Sequence, residues 1–511
     1  MRIKNILQYL EVTAARLPDK VAVSDGAGGQ SLTFGALLHD ARRVGSALSH
    51  LGMTGKRVAI LTERHPYAVA LMLGAVYAGA VYVPLDAAMP HQRMEHILSH
   101  SDVSLLIFDE QNRAAAQELD VSACCCDELL GAEINERALD TVRSRQMSTD
   151  PLYIIFTSGS TGTPKGVVGC HRAVIDYAEA LTGALGFDER CVFGCQSPLY
   201  FDAPLKELLT TLKCGATTYL IPRRLFSFPL PLLAYLQENG VNTVCWVSSA
   251  LSAVAVLGAL AVNPPTALER VVFGSEVFPL AHFRAWKEAL PHVQFWQLYG
   301  PTEATGMSCY YKVDRDFDDG ERIPIGRPFD NTGLFLLGED GTAVLPALGQ
   351  RSEQGEICLF GDCLTLGYDN DPERTAECFV QHPLHTAYPE RVYRTGDAAY
   401  YNERGELIFV GRRDGQIKRM GHRVEIGEIE AAAMRCKSVT GAACAVRPSD
   451  ADVALFYTGP ADEREVTDTL REHLPRYMLP RVVYRVDTLP YTPNGKIDRC
   501  ALAAAAWKEN Q

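Results

Sequence analysis

The 511-residue chain has no Cys-x-x-Cys pair and no zinc-type ligand spacing, although it contains fifteen cysteines. Cys124-Cys125-Cys126 and the Cys191/Cys195 pair are its densest groupings. The cysteines therefore read as free thiols in a reducing cytosol, and no metal cluster is expected. Positive charge is also scarce. The net charge is −13 and no basic patch stands out, which excludes nucleic acid as a partner, because such binding rests on clustered Lys and Arg. A Gly-Lys-Ser/Thr phosphate loop is absent, so a kinase or GTPase reading loses its main support. The N-terminus, MRIKNILQYLEVTAARLPDK, has no long apolar core. It reads as an amphipathic helix with Ile6, Leu7, Leu10, Ala14 and Leu17 on one side, and not as a signal peptide. Residues Tyr67 to Leu85 carry no charge, but Gly74, Gly79 and Pro84 divide them. They are expected to form a helix, a turn and a buried strand, with no membrane insertion and a cytoplasmic location. No internal repeat occurs, and low complexity is limited to Ala501 to Ala506.

What is present points to a large α/β fold. Apolar residues make up 47% of the chain, enough for two or more domains at this length. Apolar, β-branched runs at Arg57 to Leu61, Val103 to Phe108, Val241 to Val247 and Val271 to Phe273 alternate with helical stretches. Such alternation predicts parallel-rich sheets covered by helices. The most informative segment is Tyr153 to Gly166, YIIFTSGSTGTPKG. A strand-like run opens there into Thr, Ser and Gly and closes on Pro164-Lys165-Gly166. Backbone N–H groups and hydroxyls in such a turn converge on an anion, glycine permits close approach, and lysine adds positive charge.

This loop resembles the phosphate-binding loop of the adenylate-forming superfamily, which includes acyl-CoA synthetases, luciferases and the adenylation domains of nonribosomal peptide synthetases. Further strings extend the resemblance in the family's order: Tyr299-Gly-Pro-Thr-Glu303, Gly355-Glu356, Gly367-Tyr368, Tyr393-Arg-Thr-Gly-Asp397 and Gly411-Arg-Arg-Asp414. Gln416 to Glu430, Leu474 to Pro480 and Pro493-Asn-Gly-Lys-Ile-Asp-Arg499 complete it. It covers nearly the whole chain, from Leu32-Thr33-Phe34 through Tyr77 to Pro84 and on to Arg499.

The resemblance implies a large N-terminal core over residues 1–413 and a small mobile α/β lid over 414–511, with the hinge at Asp414. It implies ATP and Mg²⁺ as cofactors. Thr157, Ser158, Gly159, Ser160, Thr161, Gly162 and Lys165 would hold phosphate. Asp397 and Arg412 would bind the ribose, Tyr299 would stack near adenine, and Gly274, Ser275, Glu276, Gly300 and Thr302 would complete the nucleotide contacts. Glu303 would help hold Mg²⁺, and Lys496 would be the catalytic lysine bridging carboxylate and phosphate oxygens.

Asp202 matches the aspartate that pairs with the substrate's α-ammonium in amino-acid-activating members. The remaining pocket carried across is Phe201, Ala203, Lys206, Trp246, Val271, Phe273, Leu298, Gly306 and Met307. Lys206 needs a partner if buried. Either a substrate carboxylate or Asp202, four residues away on one helical face, would serve. The first suits an acidic amino acid; the bulk of Trp246, Phe273 and Leu298 suits glycine or D-alanine. No carrier-domain serine motif follows Arg499, and no His-His-x-x-x-Asp-Gly string occurs. A stand-alone amino-acid ligase is therefore expected, passing its product to the phosphopantetheine thiol of a separate carrier protein. The alternative is an acyl-CoA synthetase using free coenzyme A.

Overall fold

The structure, a computed structural model, describes residues 3–26, 29–159, 163–412, 416–447, 450–490 and 497–507. It separates into two compact units. The first comprises Met1–Ala87, Ser101–Ile155 and Gly166–Gly411; the second gathers Ala88–His100, Phe156–Lys165 and Arg412–Gln511.

Three sheets build the first unit. In the nine-stranded sheet, Gln294–Tyr299, Arg270–Gly274, Thr243–Val247, Val192–Cys195, Thr217–Leu220 and Val21–Ser24 run parallel in that order, with antiparallel strands only at the edges. Another sheet aligns Pro151–Thr157, Val81–Leu85, Arg57–Leu61, Leu105–Phe108 and Ala123–Cys125 in parallel. A smaller antiparallel sheet is centred on Gly355–Gly361 and Arg391–Tyr401. The chain is thus the α/β, parallel-rich fold expected from the alternating pattern.

The uncharged stretch behaves as its breakers dictate. Pro66–Tyr77 is a helix whose first residue is proline, Gly79 turns the chain at φ +68°, and Val81–Leu85 is a strand buried at every position. No described helix is long and apolar enough to cross a membrane. The N-terminal helix Leu7–Arg16 buries Leu7, Leu10 and Ala14. All fifteen cysteines are free.

Alternation along the strands of the nine-stranded sheet sorts its side chains onto two faces. Cys245, Val272, Trp296 and Leu298 join the core that also holds the helices His171–Leu185 and Leu205–Cys214. Trp246, Val271, Phe273 and Phe295 join a second core on the opposite face.

In the second unit, strands Gly441–Val446, Val453–Thr458 and Val482–Arg485 form a sheet, joined by helices Ile426–Ala433, Glu463–His473 and Arg499–Ala506. A hairpin, Ile417–Arg419 with His422–Val424, precedes them.

Candidate active site

Most of the expected residues of the first unit lie just past the carboxyl ends of the parallel strands, where open α/β sheets bind ligands. Strand Val192–Cys195 leads to Phe201–Lys206, Arg270–Gly274 to Ser275 and Glu276, and Gln294–Tyr299 to the turn ending at Met307. The backbone here is tightly drawn. A Cβ on Gly274 would lie 2.4 Å from the Leu298 carbonyl oxygen, and one on Gly300 would lie 2.4 Å from that of Gly306. Ser275 (φ +68°) and Thr305 (φ +57°) take the left-handed region despite their side chains, a cost that functional turns often carry.

Side chains fix these turns. Glu276 accepts the Ser249 N–H at 3.0 Å, and its carbonyl accepts the Ser248 hydroxyl at 3.0 Å. The Tyr299 hydroxyl donates to Asp397, and both residues are buried. Burial, and after it the Asp397 charge, pushes the Tyr299 phenol well above its ordinary value, so Tyr299 stays a neutral donor. Glu303 is fully buried. Its Oε1 accepts the Tyr368 hydroxyl at 2.7 Å, and its carbonyl accepts the Thr365 N–H and hydroxyl, each at 3.0 Å. A rigidly held carboxylate is a hard oxygen donor of the kind Mg²⁺ takes.

Around Asp202 a second polar group forms. A Cβ on Gly306 would sit 3.9 Å from Asp202 Oδ2 and 4.0 Å from the Tyr177 hydroxyl, so the aspartate and this phenol face the same turn. Helix Leu205–Cys214 starts directly after Pro204. It carries Lys206, 5% exposed, whose Nζ donates to the Ala203 carbonyl at 2.8 Å. The next residue, Glu207, is fully buried with neither carboxyl oxygen hydrogen-bonded. Burial raises its pKa to about 7, against the pull of Lys206 and Arg64.

The pocket carried across from the sequence divides here. Leu298 and Met307 share one core with Tyr177, the phenol beside Asp202. Trp246, Val271 and Phe273 lie on the other face of the sheet, where the Trp246 indole donates to the Gly194 carbonyl at 2.7 Å. Those three do not share a face with Leu298. Gly274 is the register partner of Leu298, so Val272, two residues before it, shares that face. Cys245 does likewise on the neighbouring strand. Strand parity, with its two-residue period, is what puts Cys245 and Val272 on the Leu298 face. Glu207 and Tyr177 were given no role, and Tyr368 entered only as part of the Gly367-Tyr368 string. A lone glutamate or tyrosine in a helix or strand gives no sign of where it points.

In the second unit, Thr157, Ser158 and Lys165 of the expected phosphate loop are all buried. The Ser158 hydroxyl donates to the Arg423 carbonyl at 2.6 Å. Arg412 closes the strand Leu407–Arg412. Ser160, Thr161, Gly162, Asp414 and Lys496 lie outside the described residues.

The sequence profile of the AMP-binding enzymes matches residues 10–369, and that of the AMP-binding enzyme C-terminal domain matches residues 428–496. The chain belongs to the AMP-binding enzymes. Within this adenylate-forming superfamily it is similar to surfactin synthase subunit 2 of Bacillus subtilis (strain 168), at 32% identity over 97% of this chain and 14% of the relative. It is also similar to bacitracin synthase 1 of Bacillus licheniformis, at 31% identity over 98% of this chain and 9% of the relative. The AMP-binding enzyme thus spans only a small fraction of these curated relatives. Among solved structures it resembles holo-PA1221, a nonribosomal peptide synthetase protein containing adenylation and PCP domains (TM-score 0.81, 26% identity, 98% of this chain and 84% of that one). The adenylation domain AlmE of Vibrio cholerae shares the fold, with a TM-score of 0.85 at 21% identity over 100% of this chain and 99% of that one.

Proposed function

We propose that this AMP-binding enzyme activates an amino acid as its aminoacyl adenylate and passes the aminoacyl group to the phosphopantetheine thiol of a carrier protein in trans. The observation that carries the reading is Asp202, whose carboxylate faces Gly306 beside the Tyr177 phenol. An acid at that place gives an α-ammonium its counter-charge, which a fatty or aryl acid does not need. In the first half-reaction the substrate carboxylate oxygen attacks the α-phosphorus of ATP. The bond from that phosphorus to the bridging oxygen breaks, and the electron pair leaves on pyrophosphate. In the second, the carrier's thiolate attacks the acyl carbon and AMP departs. Ser158, Gly159 and Lys165 hold phosphate, Asp397 takes the ribose hydroxyls, and Lys496 neutralises charge as it moves toward pyrophosphate. Mg²⁺ at Glu303 supplies Lewis-acid neutralisation of the phosphate oxygens when bound.

Lys206 extends the reading to an acidic substrate. Its ammonium is buried and carries three donors, and its hydrogen bond among the described residues is to the Ala203 carbonyl. The pairing with Asp202 that the four-residue spacing allows is not formed. A substrate side-chain carboxylate would meet the remaining donors, because a buried ammonium needs such company. The test is amino-acid-dependent ATP–pyrophosphate exchange across the common L-amino acids, glycine, D-alanine and several aryl and short fatty acids. Aspartate or glutamate is expected to give the strongest signal. Lys206→Met should lower it about 10- to 100-fold while leaving any glycine signal unchanged. A dominant glycine or D-alanine signal would overturn the acidic reading but keep the activity. Exchange only with acids lacking an amino group, together with coenzyme A as acceptor, would replace the proposal with an acyl-CoA synthetase.

A further inference from the structure

In the first unit, the antiparallel strands Phe379–Gln381 and Arg391–Tyr401 are joined by the segment 382–390, His-Pro-Leu-His-Thr-Ala-Tyr-Pro-Glu. This segment brings two imidazoles and a carboxylate together. His385 Nε2 lies 2.8 Å from Glu390 Oε2, and His382 Nε2 lies 3.9 Å from the same oxygen. One ligand-capable atom from each of the three residues falls within 4.8 Å of the others. The His382 side chain is 8% exposed, against 28% for His385 and 26% for Glu390, so the group is sheltered yet reachable from solvent. Its surroundings hold it in place. His382 packs on Phe335 and Phe360, with ring centroids 4.8 and 5.1 Å away, and His385 packs on His382 at 4.5 Å and on Tyr388 at 4.7 Å. The His382 N–H donates to the Glu390 carbonyl at 2.8 Å, the Glu390 N–H to Gln381 Oε1 at 3.2 Å, and the Gln381 amide to the Tyr388 carbonyl at 3.1 Å. His385 Nδ1 is buried and has no hydrogen-bond partner.

We propose that His382, His385 and Glu390 form a binding site for a divalent transition-metal ion of the Zn²⁺ class, separate from the Mg²⁺ assigned to Glu303. Two imidazoles and one carboxylate are a donor set that suits Zn²⁺, whereas Mg²⁺ and Ca²⁺ take oxygen ligands. Three protein ligands leave a fourth position to water. At bond lengths of about 2.0–2.1 Å, tetrahedral ligand atoms stand about 3.3 Å apart. Binding therefore needs ring rotations that draw His382 inward and open the His385–Glu390 contact. Each imidazole then carries its proton on Nδ1 and offers the Nε2 lone pair. For His382 this ends the 3.3 Å contact in which Nδ1 accepts the Leu384 N–H. The ion clips the residue that follows one strand to the residue that precedes the next, and that second strand runs on to Asp397. No cysteine is among the ligands, so the cysteine spacing that argues against a metal cluster does not bear on this site.

The test titrates the full chain, stripped with EDTA and dialysed, with ZnCl₂ against a chromogenic chelator, and follows thermal unfolding at each concentration. A single equivalent of Zn²⁺ should bind in the presence of excess Mg²⁺ and raise Tm as its concentration rises. His385→Gln and Glu390→Gln, both at partly exposed positions, should each weaken that binding about 100-fold or more and abolish the rise in Tm; loss of an outer-shell partner alone costs about 10–100-fold. X-ray absorption of the Zn²⁺-loaded wild type needs no variant and should show imidazole and oxygen ligands. Absence of a tight equivalent in the wild type, sulfur among the ligands, or wild-type affinity in both variants would overturn the site.

Discussion

Glu207 is the clearest single-residue liability in the structure. Its carboxyl is fully buried with no hydrogen bond to either oxygen, and its pKa rises to about 7. Between the ordinary carboxylate pKa and 7 the unfolded chain has lost this proton while the folded chain keeps it. Stability therefore falls as pH rises through that window, and the deficit is complete above 7. Glu207→Gln should remove this slope, raising stability at pH 8 relative to pH 4.5 by about 2–4 kcal/mol compared with the wild type, as read from denaturant midpoints at the two pH values. A parallel pH dependence in both proteins would show that Glu207 ionises freely. Nothing in the string Phe-Asp-Ala-Pro-Leu-Lys-Glu announced this residue, because sequence gives neighbours along the chain and not the direction of a side chain. Asp202 and Lys206 were proposed from the family resemblance, and sequence chemistry added only that a buried Lys206 would need a partner. Trp246, Val271 and Phe273 were assigned by aligned position, and the two-residue period of a strand puts them on the other face of the sheet.

Whole elements were far easier to read. The apolar β-branched runs became parallel strands, and the stretch Tyr67 to Leu85 broke at Gly79 as its composition required. The turns at the strand ends carry a demand that composition hides, namely backbone lying against backbone. Gly300 is such a place, since a methyl group there would meet the Gly306 carbonyl oxygen at 2.4 Å and the Met307 Cα at 2.5 Å. Neither is a flexible chain end that could swing aside. Gly300→Ala should lower stability by about 3 kcal/mol and abolish exchange. Gly183 provides the contrast: it lies within the helix His171–Leu185 and has nothing within 4 Å of an added Cβ. Gly183→Ala should raise stability by about 0.5–1 kcal/mol. Urea midpoints of the two variants, compared with the wild type, check both values.

At the scale of the molecule, the proposed chemistry divides between two half-reactions that ask for different groups. Lys496 is assigned to the first alone. Lys496→Ala should reduce adenylate formation by about 10³-fold or more, the size expected when a group that stabilises developing charge in the transition state is lost. It should spare thiol transfer from a supplied aminoacyl adenylate, and equal loss of both steps in single-turnover assays would remove the lysine from its role. The sequence suggested two consecutive blocks meeting at Asp414. The compact units instead interleave, because Ala88–His100 and Phe156–Lys165 pack with the last hundred residues. Local patterns report which residues form a helix or strand; they do not report which distant segment will cover it. That interleaving matters while the protein is being made. Arg93 and its partner Glu428 are 335 residues apart in the chain, so at a synthesis rate of roughly 5–20 residues per second the arginine waits on the order of tens of seconds for its counter-charge. Until then a newly made helix and the start of the phosphate loop emerge from the ribosome without the segment that will bury them.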